Sequence, residues 1–445
     1  MRRVPPASGS RGAVVQPSLA RLKAGTTTRI ARLTPGVTMG IALTALLSMT
    51  AVASAQEAAL TFQAALSRAL TANPTIIAAR LKRSINLASR DVAAERLNPD
   101  FRVELSKETP KEAYTLAVPW ETGGKRAKRI AVADAVLATG DAELNAVIAD
   151  VQNEVRRAFI ERFTAESKRA LLAEVQDLAQ RARDAAQTRF DAGDVPQLEV
   201  RQAELALADA QNQAAAARGA VDAARASLNA VLGYPLDAPT PIEMTPDVGA
   251  AVASDQALAR ARSANAELAV FDRRVAEQRA RIALAQALRQ PDLTPEGTLT
   301  RRAEPEFSTG WRAALSITVP VFTTHAAAVQ VEESTLREVT AERDAVLARI
   351  AGEVTAAAAI ADAQRQQFIR YRDEIVPLAQ EVERMAEDSY RLGQTGIAAY
   401  LQALQSTRDV RLRAIESAAA LQSALADLER AIGAPSATPS PTSTP

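Results

Sequence analysis

Between residues 126 and 191 the apolar positions recur every third or fourth residue, with Leu144, Val147, Val151, Val155, Phe159 and Phe163 on one stripe. That is the period of an amphipathic helix. No proline interrupts the stretch, so the pattern predicts one helix from about Arg126 to Asp191. At 1.5 Å per residue it spans roughly 100 Å. Gly193 closes a turn, and a second helix is expected to return from about Pro196 to Leu232. A shorter helix is predicted from about Pro74 to Leu97, with Asn73 as N-cap, Pro74 in the first helical position and Pro99 as the stop. Between the short and long helices the period falls to two. Phe101, Val103 and Leu105 alternate with Arg102, Glu104 and Ser106, and Tyr114, Leu116 and Val118 alternate with Thr115 and Ala117. This predicts strands over about 101–107 and 114–119.

The same order is written a second time. Asn73 matches Asn265 and Pro99-Asp100 matches Pro291-Asp292, both at an offset of 192; Pro119 matches Pro320 at 201. Phe190-x-x-Gly193 matches Tyr390-x-x-Gly393, and Gly233-x-Pro235 matches Gly433-x-Pro435, both at 200. The second long helix is expected from about Ala326 to Arg391, on Leu336, Val339, Val346, Ile350 and Val354, with a kink at Pro377. The second strand pair is expected over about 292–300 and 311–319, the first of these weakened by Pro295 and Gly297. The chain therefore divides into repeats at 56–233 and 254–433, a proline-rich linker at 234–253, and a Pro/Ser/Thr-rich tail at 434–445 expected to be disordered.

Composition narrows the function. Aromatics are 4% of the 445 residues and alanine dominates the apolar set, which suits long, closely packed helices. There is no cysteine, and His325 is the one histidine, so thiolate sites and multi-histidine metal centres are excluded, as is a nucleophile–histidine catalytic pair. No enzyme and no cofactor are expected. Residues 1–55 carry seven basic and no acidic residues, then an apolar run from Val37 to Val52 and the small-x-small Ala53-Ser54-Ala55. They are expected to be a cleaved export signal, with the true start codon placed downstream of Met1. Without them the formal charge falls from +1 to −6, which argues against nucleic acid as a partner. No other run of 18 apolar residues exists, so a membrane could be crossed only by a barrel. Period-two strands suit a barrel with one face to lipid and one to a wet lumen, or else soluble hairpins that cap the helices. Export, duplication and the strand-end aromatics Trp120, Trp311 and Phe322 favour the barrel. Four strands cannot close one; two chains would supply eight and three would supply twelve.

This helix–hairpin–long helix–turn–helix unit, present twice after a signal, resembles the TolC family of outer-membrane efflux channels from about Leu60 to Pro435. The resemblance implies a mainly α fold with a small β contribution: a homotrimer with a 12-stranded barrel in outer-membrane lipid and an α-helical tunnel across the periplasm. It implies an exit duct that works with a periplasmic adaptor protein and an inner-membrane pump. Pro119-Trp120-Glu121-Thr122-Gly123-Gly124-Lys125-Arg126 is similar to a stretch of the heavy-metal (CzcC/CusC-like) branch, which implies metal cations as cargo. There Gly123, Gly124, Lys125 and Arg126 would form the barrel-to-tunnel bend, with Lys125, Arg126, Lys128 and Arg129 either near headgroups or in solvent. The turns with Phe190, Gly193 and Asp194, and with Tyr390, Arg391 and Gly393, would be the tips where the adaptor docks. Where multidrug members of the family place a ring of carboxylates, this chain has Ala399 and Gln402; together with Glu199, which keeps a carboxylate, and the bend at Pro377, these are the gate candidates. The competing reading is a periplasmic coiled-coil scaffold or adaptor without a pore.

Overall fold

The computed structural model describes residues 59–251 and 253–433; the expected signal and tail lie outside the described residues. Each repeat begins with a helix that the sequence pattern did not reveal, α1 (Phe62–Ala72) and α5 (Ser254–Ala264). Each continues directly into α2 (Pro74–Ala94) or α6 (Ala266–Ala287). The strands are β1 (Asp100–Leu105), β2 (Glu112–Ala117), β3 (Asp292–Ala303) and β4 (Phe307–Thr318). The long helices are α3 (Lys125–Asp191), unbroken over 67 residues, and α7 (Ala326–Arg370), which passes through a π turn (Tyr371–Ile375) into α8 (Val376–Arg391). The returning helices are α4 (Gln197–Leu232) and α9 (Ile397–Ile432).

The two halves use the same joints. Asn73 Oδ1 accepts from Thr75 N at 2.9 Å while its Nδ2 donates to Val231 O at 2.9 Å. Asn265 caps Leu268 N at 3.1 Å and donates to Ala431 O at 3.0 Å. One buried amide thus caps α2 or α6 and ties it to the end of α4 or α9. Gly233 and Gly433 end those returning helices at positive φ, and a Cβ there would lie 2.9 Å from Ala72 O or 2.3 Å from Ala264 O. Gly433→Ala should therefore cost more than the ~1 kcal/mol of a left-handed alanine, and more than Gly233→Ala. Thermal unfolding of the two variants should rank them in that order.

Around the joints sit matching cores. Ala65, Ala69, Ile76, Val151, Val155 and Leu228 are buried in the first. Ala257, Ala261, Leu268, Ile350, Val354 and Leu428 are buried in the second. Along the long helices these cores match at an offset of 199, yet the tips match at 200. The second copy therefore holds one extra residue between core and tip, and the π turn at Tyr371–Ile375 absorbs it. Pro377 follows at the start of α8, where its missing N–H falls beside the π turn. The expected disruption is thus a wound π segment continuous with both helices.

Ion pairs bridge α3 and α9 across the two copies, beside the apolar packing of Leu171 and Val175 with Leu412 and Ile415. Arg157 meets Asp427 at 2.5 Å, Lys168 meets Glu416 at 2.7 Å, Glu174 meets Arg411 at 2.7 Å and Asp150 meets Arg430 at 2.8 Å. Arg156 also pairs with Glu429, whose carboxyl is nonetheless held above its usual range because burial outweighs the arginine.

The sheet runs β1-β2-β3-β4, antiparallel throughout. The segment expected to be weak is a full 12-residue central strand. Pro295 forgoes the one ladder bond its N–H would make to Val118, but its carbonyl still accepts from Val118 N at 3.0 Å and the pairing resumes at Leu293 and Trp120. Phe101, Val103, Leu315, Ile317 and Trp311 share one exposed apolar face, with Trp311 82% exposed. On the other face Thr115 and Thr298 share a hydrogen bond of 3.1 Å. No helix among the described residues is long and apolar enough to cross a membrane.

Candidate functional site: the bend and the paired tips

The chain turns from β2 into α3 through Gly123 and Gly124, both left-handed, at φ 64° and 70°. At Gly123 a Cβ would lie 2.6 Å from Gln290 Cγ, whereas at Gly124 nothing lies within 4 Å. Gly123 thus serves a close approach as well as a turn, bringing the start of α3 against the α6–β3 junction of the second copy. Lys125 is buried there and donates to Gln290 O at 2.8 Å and Asp292 Oδ2 at 2.7 Å. Thr122 N donates to Asp292 Oδ1 at 3.2 Å, and the Thr122 hydroxyl to Pro291 O. Arg126 donates to Ala94 O at 2.7 Å, and Arg129 to Glu95 O at 3.1 Å and to Glu121. These two cations face the C-terminal carbonyls of α2, where the helix dipole favours them.

The headgroup and solvent readings of this basic run are therefore corrected for Lys125, Arg126 and Arg129, whose charges are taken up inside the chain. Gln290 and Asp292 were missed because an acceptor 165 residues away leaves no local pattern. Lys125→Met should lower stability by about 1–3 kcal/mol, since it strands a carboxylate and a carbonyl. Asp292→Asn in the same background should recover part of the loss, as read by thermal unfolding.

About 100 Å from the bend along α3, each hairpin closes in the same way. Gly193 N donates to Phe190 O at 2.9 Å and Asp194 N to Arg189 O at 2.9 Å. Gly393 N donates to Tyr390 O at 3.0 Å and Gln394 N to Ser389 O at 2.9 Å. Both glycines are left-handed, at φ 81° and 72°, as this helix stop requires. Phe190, Asp194 and Arg391 are exposed around them.

The tips are joined to each other. Tyr390 stacks on Tyr400 with ring centroids 5.7 Å apart, and the Arg189 guanidinium lies 5.1 Å from the Tyr390 ring centre. Arg189 also donates to Tyr390 O at 3.3 Å. Burial pushes the Tyr400 hydroxyl up to about 12, with Glu387 and Glu383 adding to it, and burial and then Glu199 raise that of Tyr390. Glu199, the first-turn acid of α4, sits against Gly396, and its Oε2 and the Tyr390 hydroxyl are both buried with no hydrogen-bond partner among the described residues. Ala399, Gln402 and Pro377 are exposed. Of the gate candidates, then, Glu199 alone meets the tip cluster. Arg189 and Tyr400 were missed; two tyrosines ten residues apart in so aromatic-poor a chain were the available signal. No group of acidic or histidine side chains among the described residues is arranged to hold a metal ion.

The duplicated hairpin-and-helix unit also has a match among known families. The outer membrane efflux protein family matches residues 65–234 and 257–434, one stretch for each repeat. The chain belongs to that family. Its fold is that of solved members. It superposes on CusC with a TM-score of 0.70 at 15% identity, over 84% of this chain and 92% of that one. The open-state Neisseria gonorrhoeae MtrE outer membrane channel gives 0.69 at 18% identity, over 84% and 89%. In sequence, the chain is 28% identical over 179 residues to the cobalt-zinc-cadmium resistance protein CzcC of Cupriavidus metallidurans, a match over 39% of this chain. The match spans 42% of that relative's length. Membership assigns the protein to the outer membrane and to the efflux channels.

Proposed function

We propose that this chain is one of three identical subunits of an outer-membrane exit duct, fed by a periplasmic adaptor and an inner-membrane pump, with heavy-metal cations as cargo. The observation that carries this reading is the four-stranded sheet. Its order leaves β1 and β4 as free edges, and one face is an exposed apolar surface with Trp311 and Leu315 on it. Free edges and bare apolar face are both costly in water, and lipid plus neighbouring copies relieve both. A soluble coiled-coil scaffold would leave that face uncovered. The metal cargo rests on the resistance protein named above. The protein supplies a passive conduit, so the choice of cargo lies with the pump.

Purified protein added to planar bilayers should give stepwise conductances, and a scaffold would give none. Loss of the chain from its own cell should raise sensitivity to cobalt, zinc or cadmium. The tips with Gly193 and Gly393 are the docking ends for the adaptor. At the gate, Ala399 and Gln402 offer no carboxylate, so Glu199 is the main acidic site. Divalent cations should therefore change the conductance only weakly. Micromolar block that survives Glu199→Gln would assign the gate to other residues.

A further inference from the structure

Within one chain, the seam between the copies is β2 against β3. Its register places Tyr114 opposite Leu299, Leu116 opposite Gly297, and, past the regular strand, Trp120 opposite Leu293. The duplication gives this seam a counterpart. Sequence offsets of 192 for the first strand and 201 for the second map β1 onto β3 and β2 onto β4. The hairpin registers obey the same two offsets independently: Asp100 pairs with Ala117, and Asp292 pairs with Thr318. The mapping therefore holds residue by residue in the coordinates. The second copy of the seam would have β4 on one side and β1 on the other, and both are the free edges of the sheet.

We infer that β4 of one copy joins β1 of a second copy in a single register, with Ile317 opposite the partner subunit's Leu105, Val319 opposite the partner subunit's Val103 and Val321 opposite the partner subunit's Phe101. The inference rests on the multi-subunit reading above and adds the geometry of its joint. The alternation of faces supports it. The three named pairs are apolar on apolar, while Thr318 meets the partner subunit's Glu104 on the opposite face. A slip of one residue would set apolar against polar or charged along the whole joint. A slip of two would keep the faces but break the repeat. In the single chain Val321 N donates back to Val319 O at 2.9 Å, and pairing exchanges that bond for the partner subunit's Phe101 carbonyl.

The same mapping shows that the two seams are unequal. Thr122 corresponds to Thr323, and Pro291-Asp292 to Pro99-Asp100, so the threonine half of the latch is kept. Lys125 corresponds to Ala326, so its lysine is missing. In the single chain the Asp100 carboxylate is 62% exposed and lies only 3.7 Å from Arg102. The joint between subunits is thus the weaker seam, and its aspartate lacks the cation that its twin holds.

The chain has no cysteine, so strand pairing can be read by introduced disulfides. β1 and β4 lie three strand spacings apart in one chain, roughly 14 Å, too far for a bond within it. Thr318→Cys with Glu104→Cys, expressed together and oxidised in native membranes, should give a covalent ladder ending at the closed oligomer. Thr318→Cys with Arg102→Cys, which reports a two-residue slip, should not. Linking by the second pair, or by neither while the native mass still shows an oligomer, would overturn the register. A monomeric native mass would overturn the multi-subunit reading itself. Ala326→Lys should raise the temperature at which the oligomer dissociates, and the gain should vanish with Asp100→Asn. A gain that persists without Asp100 would contradict the unequal seams.

Discussion

Replacing Gly193 and Gly393 together by proline should abolish export of the pump's substrate while the oligomer still assembles in the outer membrane. Both residues occupy left-handed backbone, which proline's ring forbids, and both donate an N–H to the preceding helix end, which proline lacks. The helix stops at Phe190 and Tyr390 would unwind, carrying Asp194 and Arg391 out of place and loosening the Tyr390–Tyr400 stack that Arg189 covers. The sheet lies at the far end of α3, beyond two cores that contain neither turn. Assembly is therefore expected to survive. Gly193→Ala is the mild control, since a Cβ there meets nothing within 4 Å and costs only the left-handed conformation, about 1 kcal/mol. Cation tolerance in growing cells, alongside the amount of oligomer in the membrane fraction, separates the two effects. Full tolerance in the double proline variant would refute docking at the tips.

Leu315→Arg should all but eliminate folded protein from the outer membrane, whereas Ser316→Arg should be tolerated. The residues are adjacent, so they project from opposite faces of β4. Leu315 belongs to the apolar face shared by Ile317 and Trp311; Ser316 lies beside Arg312 and Ala314 on the other. An arginine on the lipid face of a barrel costs about 2–4 kcal/mol near the bilayer midplane and almost nothing towards a wet lumen. A soluble hairpin would reverse the reasoning, since arginine would then be welcome on an exposed apolar surface. Heat-modifiable mobility of the membrane-extracted protein reads the difference. Equal amounts of both variants would argue that this face does not meet lipid.

The features legible in the sequence were those with a local period. The α3 stripe fixed the long helix to within a residue, because 67 residues without proline or glycine-rich breaks admit little else. The duplication was visible because turns and caps demand particular residue types, as Asn73/Asn265 and Gly193/Gly393 do. The short helices α1 and α5 escaped notice: an 11-residue helix carries little periodic signal, and both derive their order from cores supplied by distant α3 and α7. β3 looked weaker than it is, because Pro295 keeps its carbonyl bond to Val118 N and the ladder resumes at Leu293 and Trp120, which only the pairing reveals. The basic run at Lys125 looked like a surface feature for the same reason: its acceptors, Gln290 and Asp292, come from the other copy. Tip glycines announced themselves, whereas Arg189 and Tyr400, which tie the tips together, did so only through their neighbours in space.

The central claim is that this sheet is one third of a closed barrel. Native mass measurement of the complex extracted from outer membranes in mild detergent tests it most directly. Three mature chains per particle, with no stable monomer at working concentrations, is the predicted result. A particle containing one chain, or two, with the sheet still folded would contradict it.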